Sequence, residues 1–403
     1  MKIGIVTTWF ERGAAYVSRQ YRDVLEKAGH EVFVFARGGE AFAKGNPDWD
    51  GPRVRWAAGT LATDRSGIAP RDFRRWLRET GVSAVLFNEQ RTLWPMALCS
   101  RLGVKTVAYV DYYTKETVRD FAIYDGLICN TRRHASVFDW HPHCLYVPWG
   151  TDTALFSPSG RRWPELVDPG AVTFFHSAGF APGRKGTDLL LKAFDRVGAP
   201  ARLVIHSQKD VLATFPDLRE IVDRLRSSGR LSVLEETIPA PGAYDRGDVY
   251  VYPSRLDGIG LTVCEALSCG LPVVVPDEPP MNEFPDGDSG VLVPVASRRP
   301  RADGYYWPMC IADVDSLAET MERLARDPAR VRAMKRSARD LALRERTWES
   351  NATAVSAFFE GLADGHDGHD ESLARSFLRR RPSVFLHDAA RNLRRRFAGR
   401  RRG

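Results

Sequence analysis

The chain alternates short apolar runs with helical stretches, and it does so twice in succession. "KIGIVTTW" (2–9) is followed by a stretch in which Val17, Tyr21, Val24, Leu25 and Ala28 recur at helical spacing, with Gly29 as the stop. "EVFVFAR" (31–37) comes next, and strand-like runs return at 82–88, 105–113, 126–131 and 144–150. A polar, proline-containing stretch at 156–170 interrupts the series, which then restarts. "AVTFFHSAG" (171–179) reads as a strand, 186–198 as a helix and "ARLVIHS" (201–207) as a strand, followed by "LSVLEE", "DVYVYPS", "LPVVVP" and "GVLVPV". Strands joined by helical crossovers form parallel sheets covered on both faces, and such sheets bind ligands beyond the carboxyl ends of their strands. Two series of similar size predict an α/β protein of two Rossmann-like, doubly wound lobes with a ligand cleft between them. The expected limits are 1–165 and 166–347, with helices over 313–327, 329–343 and 348–363. The last of these closes the body, and residues 364–403 read as a linker and tail.

Charge is unevenly distributed. The net charge of +7 comes from residues 371–403, where eleven arginines face only Glu371 and Asp388, a net +9 that leaves the rest of the chain at −2. No apolar run approaches a membrane span, and "MKIGIVTTW" lacks the charged-then-apolar layout of a signal peptide, which predicts a cytoplasmic protein. The six cysteines are scattered without a Cys-x-x-Cys pair, as in a reducing compartment. His141, His143 and Cys144 are ligand-type residues, but no second pair accompanies them and no metal is expected.

Two motifs carry chemistry. In "HSAGFAPGRKGTDLLLKAF", Arg184 and Lys185 follow a strand and a glycine-bearing loop and stand just before a helix. Amides at a helix N-terminus beside two cations suit a phosphate, with Arg184 gripping oxygens bidentately and Lys185 acting as a point charge. A solvated basic turn is the competing reading, and the chain's sparing use of lysine, nine among 58 basic residues, argues against it. In "YPSRLDGIGLTVCEALSCGLPVVVP" (252–276), Asp257 precedes a Gly258-Ile259-Gly260 turn, a helix opens there, and Glu265 lies about two turns along it. The acids are either an N-cap and a helix-surface charge or two clamps on hydroxyl-rich parts of one ligand. Glu265 sits among Val263, Cys264, Ala266 and Leu267, apolar company for a solvated side chain. Asp313-Val314-Asp315 reads as a helix cap and first turn.

"SRLDGIGLTVCEALSCGLPVVV" resembles the glutamate–seven–glutamate signature of the retaining GT-B glycosyltransferases of family four, also called group 1. In the same order as in that family, "ERGAAYVSRQYRDVLEKAGHEV" resembles its first glycine loop and helix, and "VPWGTDTALFSP" its crossover. "GRKGTDLLLKAF" resembles its phosphate segment and "MNEFPDGDSGVLVP" its following loop. The resemblance spans about residues 1–363 and implies a GT-B fold and a metal-independent, retaining sugar transfer from a UDP- or GDP-sugar to a glycan or lipid-linked hydroxyl. No cofactor is implied. It further implies that Arg184 and Lys185 hold the diphosphate, Glu265 the ribose and Asp257 the donor sugar. Gly13, Gly258, Ile259, Gly260, Leu261 and Thr262 would line the donor. The chain departs from the pattern with Asp257 for the first glutamate, Phe180 for an arginine, and Asp111 where many members have histidine. Asp111 and Glu89 end strands that face the expected cleft, each as a structural cap or as a contact to sugar or acceptor.

Two other readings stand beside this one: a nucleotide-sugar 2-epimerase on the same fold, and a non-catalytic module that binds nucleotide sugars or glycans. In the tail, Leu386, Ala389, Ala390, Leu393 and Phe397 fall on one helical stripe with the arginines mostly off it. That is the profile of an interfacial helix on an anionic membrane, making the protein peripheral to the inner face of the cell membrane. Its rivals are a merely solvated basic tail and non-specific nucleic-acid binding, which has no use for the stripe. No specific nucleic acid is expected.

Overall fold

The computed structural model describes residues 1–37, 43–58, 67–158 and 163–364; the basic tail lies outside the described residues. The described chain forms two compact units. The first comprises Met1–Pro148, the short segment Ala302–Tyr306 and the last helix from Asn351; the second comprises Trp149–Arg301 and Trp307–Ser350.

The first unit holds a seven-stranded sheet of β1 (Lys2–Thr7), β2 (Glu31–Ala36), β3 (Val54–Trp56), β4 (Ala84–Asn88), β5 (Lys105–Tyr109), β6 (Gly126–Cys129) and β7 (Cys144–Tyr146). Their order is β3-β2-β1-β4-β5-β6-β7, and every pairing is parallel. The second unit repeats the plan with β8 (Val172–Gly179), β9 (Ala201–Ser207), β10 (Leu231–Glu235), β11 (Val249–Val251), β12 (Val273–Pro276) and β13 (Gly290–Val293), ordered β10-β9-β8-β11-β12-β13. These pairings are parallel as well. In each sheet the winding reverses between the first and fourth strands, which leaves a crevice at their carboxyl ends. The central strands are buried almost throughout, as expected of parallel strands covered on both faces.

Several expectations need correction. The run at 105–113 ends as a strand at Tyr109, so Asp111 stands beyond the sheet. The helix expected over 186–198 is shorter, Thr187–Phe194, and a separate helical turn, Pro182–Lys185, precedes it. The break is at Gly186, whose φ is +74° and whose position leaves no room for a side chain: a Cβ would lie 2.1 Å from the Pro253 carbonyl oxygen. Strand β3 and an antiparallel hairpin of β14 (Val295–Arg299) and β15 (Met309–Ala312) were not expected. The three closing helices run Val314–Arg326, Pro328–Glu345 and Trp348–Asp364, with Asp313 capping the first through the Ser316 amide at 2.8 Å.

A buried ion pair braces the second unit. Lys335 donates to Asp248 at 3.0 Å and to the Glu165 carbonyl at 3.1 Å, while Asp248 accepts from the amides of Val167 and Thr173, each at 2.9 Å. Saturation with hydrogen bonds is what makes such a pair tolerable in the interior. His141, considered above as a ligand, is buried instead against the Tyr124 carbonyl, with Nε2 at 3.1 Å, and its Nδ1 accepts from the His143 amide at 3.2 Å.

Candidate active site

In the second unit the turn carrying Arg184 and Lys185 follows β8, and the segment carrying Asp257 follows β11. β8 and β11 are the neighbours at which the sheet reverses, so the two motifs meet at its crevice. Three interactions fix the turn. Arg255 pairs bidentately with Asp188 through two bonds of 2.7 Å and also donates to the Gly183 carbonyl. The Arg255 amide donates to the Arg184 carbonyl at 2.9 Å. Beneath it, buried His176 donates from Nδ1 to the Val251 carbonyl, which leaves Nε2 to accept from the Thr187 hydroxyl, each at 2.8 Å. Burial pushes this imidazole down to about 4, with Lys185 acting in the same direction, so it is neutral at neutral pH.

On that base the charged groups converge. The Lys185 ammonium hydrogen-bonds both the Tyr252 hydroxyl and Asp257 Oδ2, and it stands 4.7 Å from the centre of the Tyr252 ring. Tyr252 itself donates to Asp257 Oδ2 at 2.5 Å. Arg184, partly exposed, donates to the Leu256 carbonyl at 2.7 Å and lies 3.6 Å from Asp257. Burial alone would raise the Asp257 carboxyl, but the Lys185 and Arg184 charges, with the bonds from Lys185 and Tyr252, outweigh it and hold it well below the usual carboxylate range. Burial lowers Lys185, and Asp257 opposes that effect. The result is a preformed ion pair whose cation stays close to a crevice.

Asp257 Oδ1 accepts from the amides of Gly258 at 2.9 Å and Gly260 at 3.2 Å, so these two of the expected donors are turned onto the acid that precedes them. Gly260 (φ +75°) then starts the helix Leu261–Ser268 with no side-chain cap, which leaves Leu261 and Thr262 in its first, open turn. A Cβ on Gly260 would come within 2.7 Å of both Met281 and Phe284, so the turn is built on glycine. Glu265 is the fifth helical residue, about one turn in rather than two. It is half-buried and accepts from the Tyr244 hydroxyl at 2.6 Å; burial raises its carboxyl and the Tyr244 bond works against that. Tyr244, Tyr252, Arg255, Asp188 and His176 were not anticipated as parts of this site.

The first unit has its own cluster at the corresponding reversal, beyond β1, β4 and β5. Gly13 opens the helix Gly13–Lys27, and the space where its Cβ would stand is clear of other atoms. Glu89, directly after β4, has φ +53°, the one positive value at a non-glycine position among the described residues. Backbone of this kind is costly and tends to collect at functional sites. Arg12 lies 3.7 Å and Arg37 4.0 Å from the Glu89 carboxylate. Arg37 is buried and donates to the Asn88 carbonyl at 2.5 Å and to Gln90 at 3.3 Å. Asp111 shares this field: burial and then the Glu89 charge push its carboxyl up to about 7, against Arg91 and Arg37. Its main chain is held by Tyr305, whose hydroxyl donates to the Asp111 carbonyl at 3.2 Å, and Tyr305 stacks on Tyr112 at 5.2 Å. Glu89 and Asp111 therefore form one site in the first unit, and Arg184, Lys185, Asp257 and Glu265 one in the second.

Two parallel Rossmann-like sheets, each with a charged cluster at its winding reversal, define a protein of the GT-B fold. Sucrose-phosphate synthase from Thermosynechococcus elongatus superposes with a TM-score of 0.67 at 18% identity, over 90% of this chain and 99% of that one. Anabaena HepE in complex with UDP and glucose gives 0.66 at 14%, over 90% and 100%. Residues 171–327 match the family model described as glycosyl transferases group 1. The GDP-mannose-dependent monoacylated alpha-(1-6)-phosphatidylinositol monomannoside mannosyltransferase of Corynebacterium glutamicum is 27% identical over 236 residues, 54% of this chain and 56% of that protein. The lipopolysaccharide core biosynthesis mannosyltransferase LpsB of Rhizobium meliloti is 28% identical over 254 residues, 59% and 66%. The matches thus span between about half and two thirds of the length of these relatives.

Proposed function

We propose that the protein is a glycosyltransferase that moves a sugar from a nucleotide-sugar donor to a hydroxyl on a glycan or lipid-linked acceptor, with retention at the anomeric carbon. The observation that carries this reading is the Lys185–Asp257 ion pair, with Arg184 beside it, at the mouth of an uncapped helix that bears Glu265 one turn in. Lys185 and Arg184 receive the diphosphate, aided by the amides of Leu261 and Thr262. Glu265 takes the ribose hydroxyls through its oxygen not bonded to Tyr244. When the diphosphate draws the ammonium away, Asp257 is released toward the sugar's hydroxyls. In the first unit, Glu89 and Asp111 offer carboxylates to hydroxyls of the acceptor.

In the transfer, the bond from the anomeric carbon to the phosphate oxygen breaks and a bond to the acceptor oxygen forms. The acceptor's proton passes to the departing phosphate, which leaves on the same face. The test is turnover with UDP- and GDP-sugars, followed by NMR of the product linkage. An α-linked donor is expected to give an α-linked product, and an inverted linkage would exclude the front-face route. The GDP-mannose-dependent relatives favour GDP and the UDP-bound structural neighbour favours UDP, so a thermal-shift comparison of GDP, UDP and ADP identifies the base.

A lipid-linked acceptor gives the basic tail a purpose, namely reversible attachment to an anionic membrane. Flotation with anionic liposomes at low salt should carry the full-length chain but not one ending at Asp370. Equal behaviour of the two removes the tail from the proposal.

A further inference from the structure

Three tyrosines form a row under the second unit's site. Tyr250 lies on β11 and Tyr252 just past its end; two residues apart in extended chain, they leave the same face of the sheet. Their rings stack with centroids 5.5 Å and planes 20° apart. Tyr244, from the turn Tyr244–Arg246 that precedes β11, meets Tyr250 edge-on at 5.8 Å and 66°. All three are buried. Phenylalanine would pack as well in such a row, so the outer hydroxyls call for a reason of their own. Each of them ends on one of the two acids that flank the glycine turn: Tyr244 on Glu265 Oε2 at 2.6 Å, and Tyr252 on Asp257 Oδ2 at 2.5 Å.

We infer that the row is the positioning frame of the donor site, with Tyr244 aiming Glu265 and Tyr252 aiming Asp257, so that the rigid stack between them fixes how far apart and in what orientation the two carboxylates meet one ligand. The inference rests on the donor-site reading above. A carboxylate has about four acceptor positions on its two oxygens, so one phenol bond leaves room for a diol while removing the freedom to turn. Glu265 keeps Oε1 for the ribose in this arrangement. Asp257 already uses Oδ1 on its own turn, and its Oδ2 holds both Tyr252 and Lys185. Once Lys185 turns to a phosphate, Tyr252 is what keeps that oxygen pointed at the incoming sugar. Tyr244 and Tyr252 are thus positioning residues that touch no ligand, and they act on different parts of it.

That division gives a test that a merely structural role would fail. Tyr244→Phe and Tyr252→Phe keep every ring contact and remove one hydroxyl each. In the full-length protein, calorimetry with free UDP or GDP reads the nucleotide end, and steady-state kinetics with the matching sugar donor reads the whole. Tyr244→Phe is expected to weaken nucleoside diphosphate binding about tenfold and leave kcat within about twofold; Tyr252→Phe is expected to do the reverse, with kcat down about tenfold and affinity within about twofold. Thermal melts check that both variants fold, and Glu265→Ala is measured beside them. If Glu265→Ala loses affinity while Tyr244→Phe does not, the frame fails and the donor-site reading stands. If Glu265→Ala binds as the parent does, the reading falls and the frame with it. Equal losses of affinity and kcat in both tyrosine variants, in step with a lower Tm, would reduce the row to packing.

Discussion

Lys185→Ala is expected to lower turnover about a hundredfold or more, the scale on which a preorganised electrostatic donor contributes to a transition state. The size follows from where the ammonium sits. Burial and its ion pair with Asp257 keep it out of bulk water, in surroundings that screen a unit charge less than the open surface does. Asp257 is held ionised far below neutral pH, so at working pH its carboxylate keeps the ammonium at the site, and the cation has only to turn from Asp257 to the arriving diphosphate. Charge builds up on the leaving phosphate as the glycosidic bond breaks, so the loss should appear in both kcat and kcat/KM, with a smaller change in nucleotide affinity. Arg184, 3.6 Å from Asp257, is placed to keep that carboxylate from being left without a cation in the variant. Activity should also survive excess EDTA, because Lys185 and Arg184 supply the positive charge. Turnover within about fivefold of the parent, or strict dependence on a divalent ion, would assign the leaving-group charge to something else.

Glu265→Ala should weaken nucleotide binding by about 1.5–3 kcal/mol, roughly ten- to a hundredfold, the worth of hydrogen bonds made by a charged acceptor. Burial makes this carboxylate costly to keep ionised, and the Tyr244 hydroxyl offsets part of the cost, so its presence calls for a function. The change should also leave the Tyr244 hydroxyl without its acceptor, which makes thermal melts a necessary companion to calorimetry. Unchanged affinity in a folded variant would exclude the ribose assignment. The readouts for the two variants are separate: Lys185 is read in turnover and Glu265 in binding.

The double-sheet architecture was legible because parallel strands buried on both faces must be apolar nearly throughout, as "VVVP" is and "AVLFN" is up to its last residue. The exceptions lack that property. β3 is three half-buried residues at a sheet edge, and β14 shows a largely exposed "VASRR", so neither stands out by hydrophobicity. Lys185 and Asp257 were legible from charge beside glycine turns. Their supports were not, because the bonds that define them span long gaps in sequence: Arg255 to Asp188, His176 to the Val251 carbonyl, Tyr244 to Glu265. Only "VYVYPS" hinted at the tyrosine row, through its alternation. The depth of Glu265 in its helix was misjudged because the helix starts at Leu261, after the whole of the Gly258–Gly260 turn, and not within it.

The contact between Gly186 and Pro253 bears on how such a site can be redesigned. With 2.1 Å separating a notional Cβ from the Pro253 carbonyl, the cation turn and the exit of β11 are in effect one mechanical part, although 67 residues apart. Any side chain at 186 displaces Pro253, and with it the adjoining Tyr252 and Ser254. A library that diversifies the Gly183–Gly186 turn alone therefore has few productive members. Broadening donor choice in this scaffold calls for co-variation of 183–186 with 252–254, or for leaving both intact and varying the loops around the base.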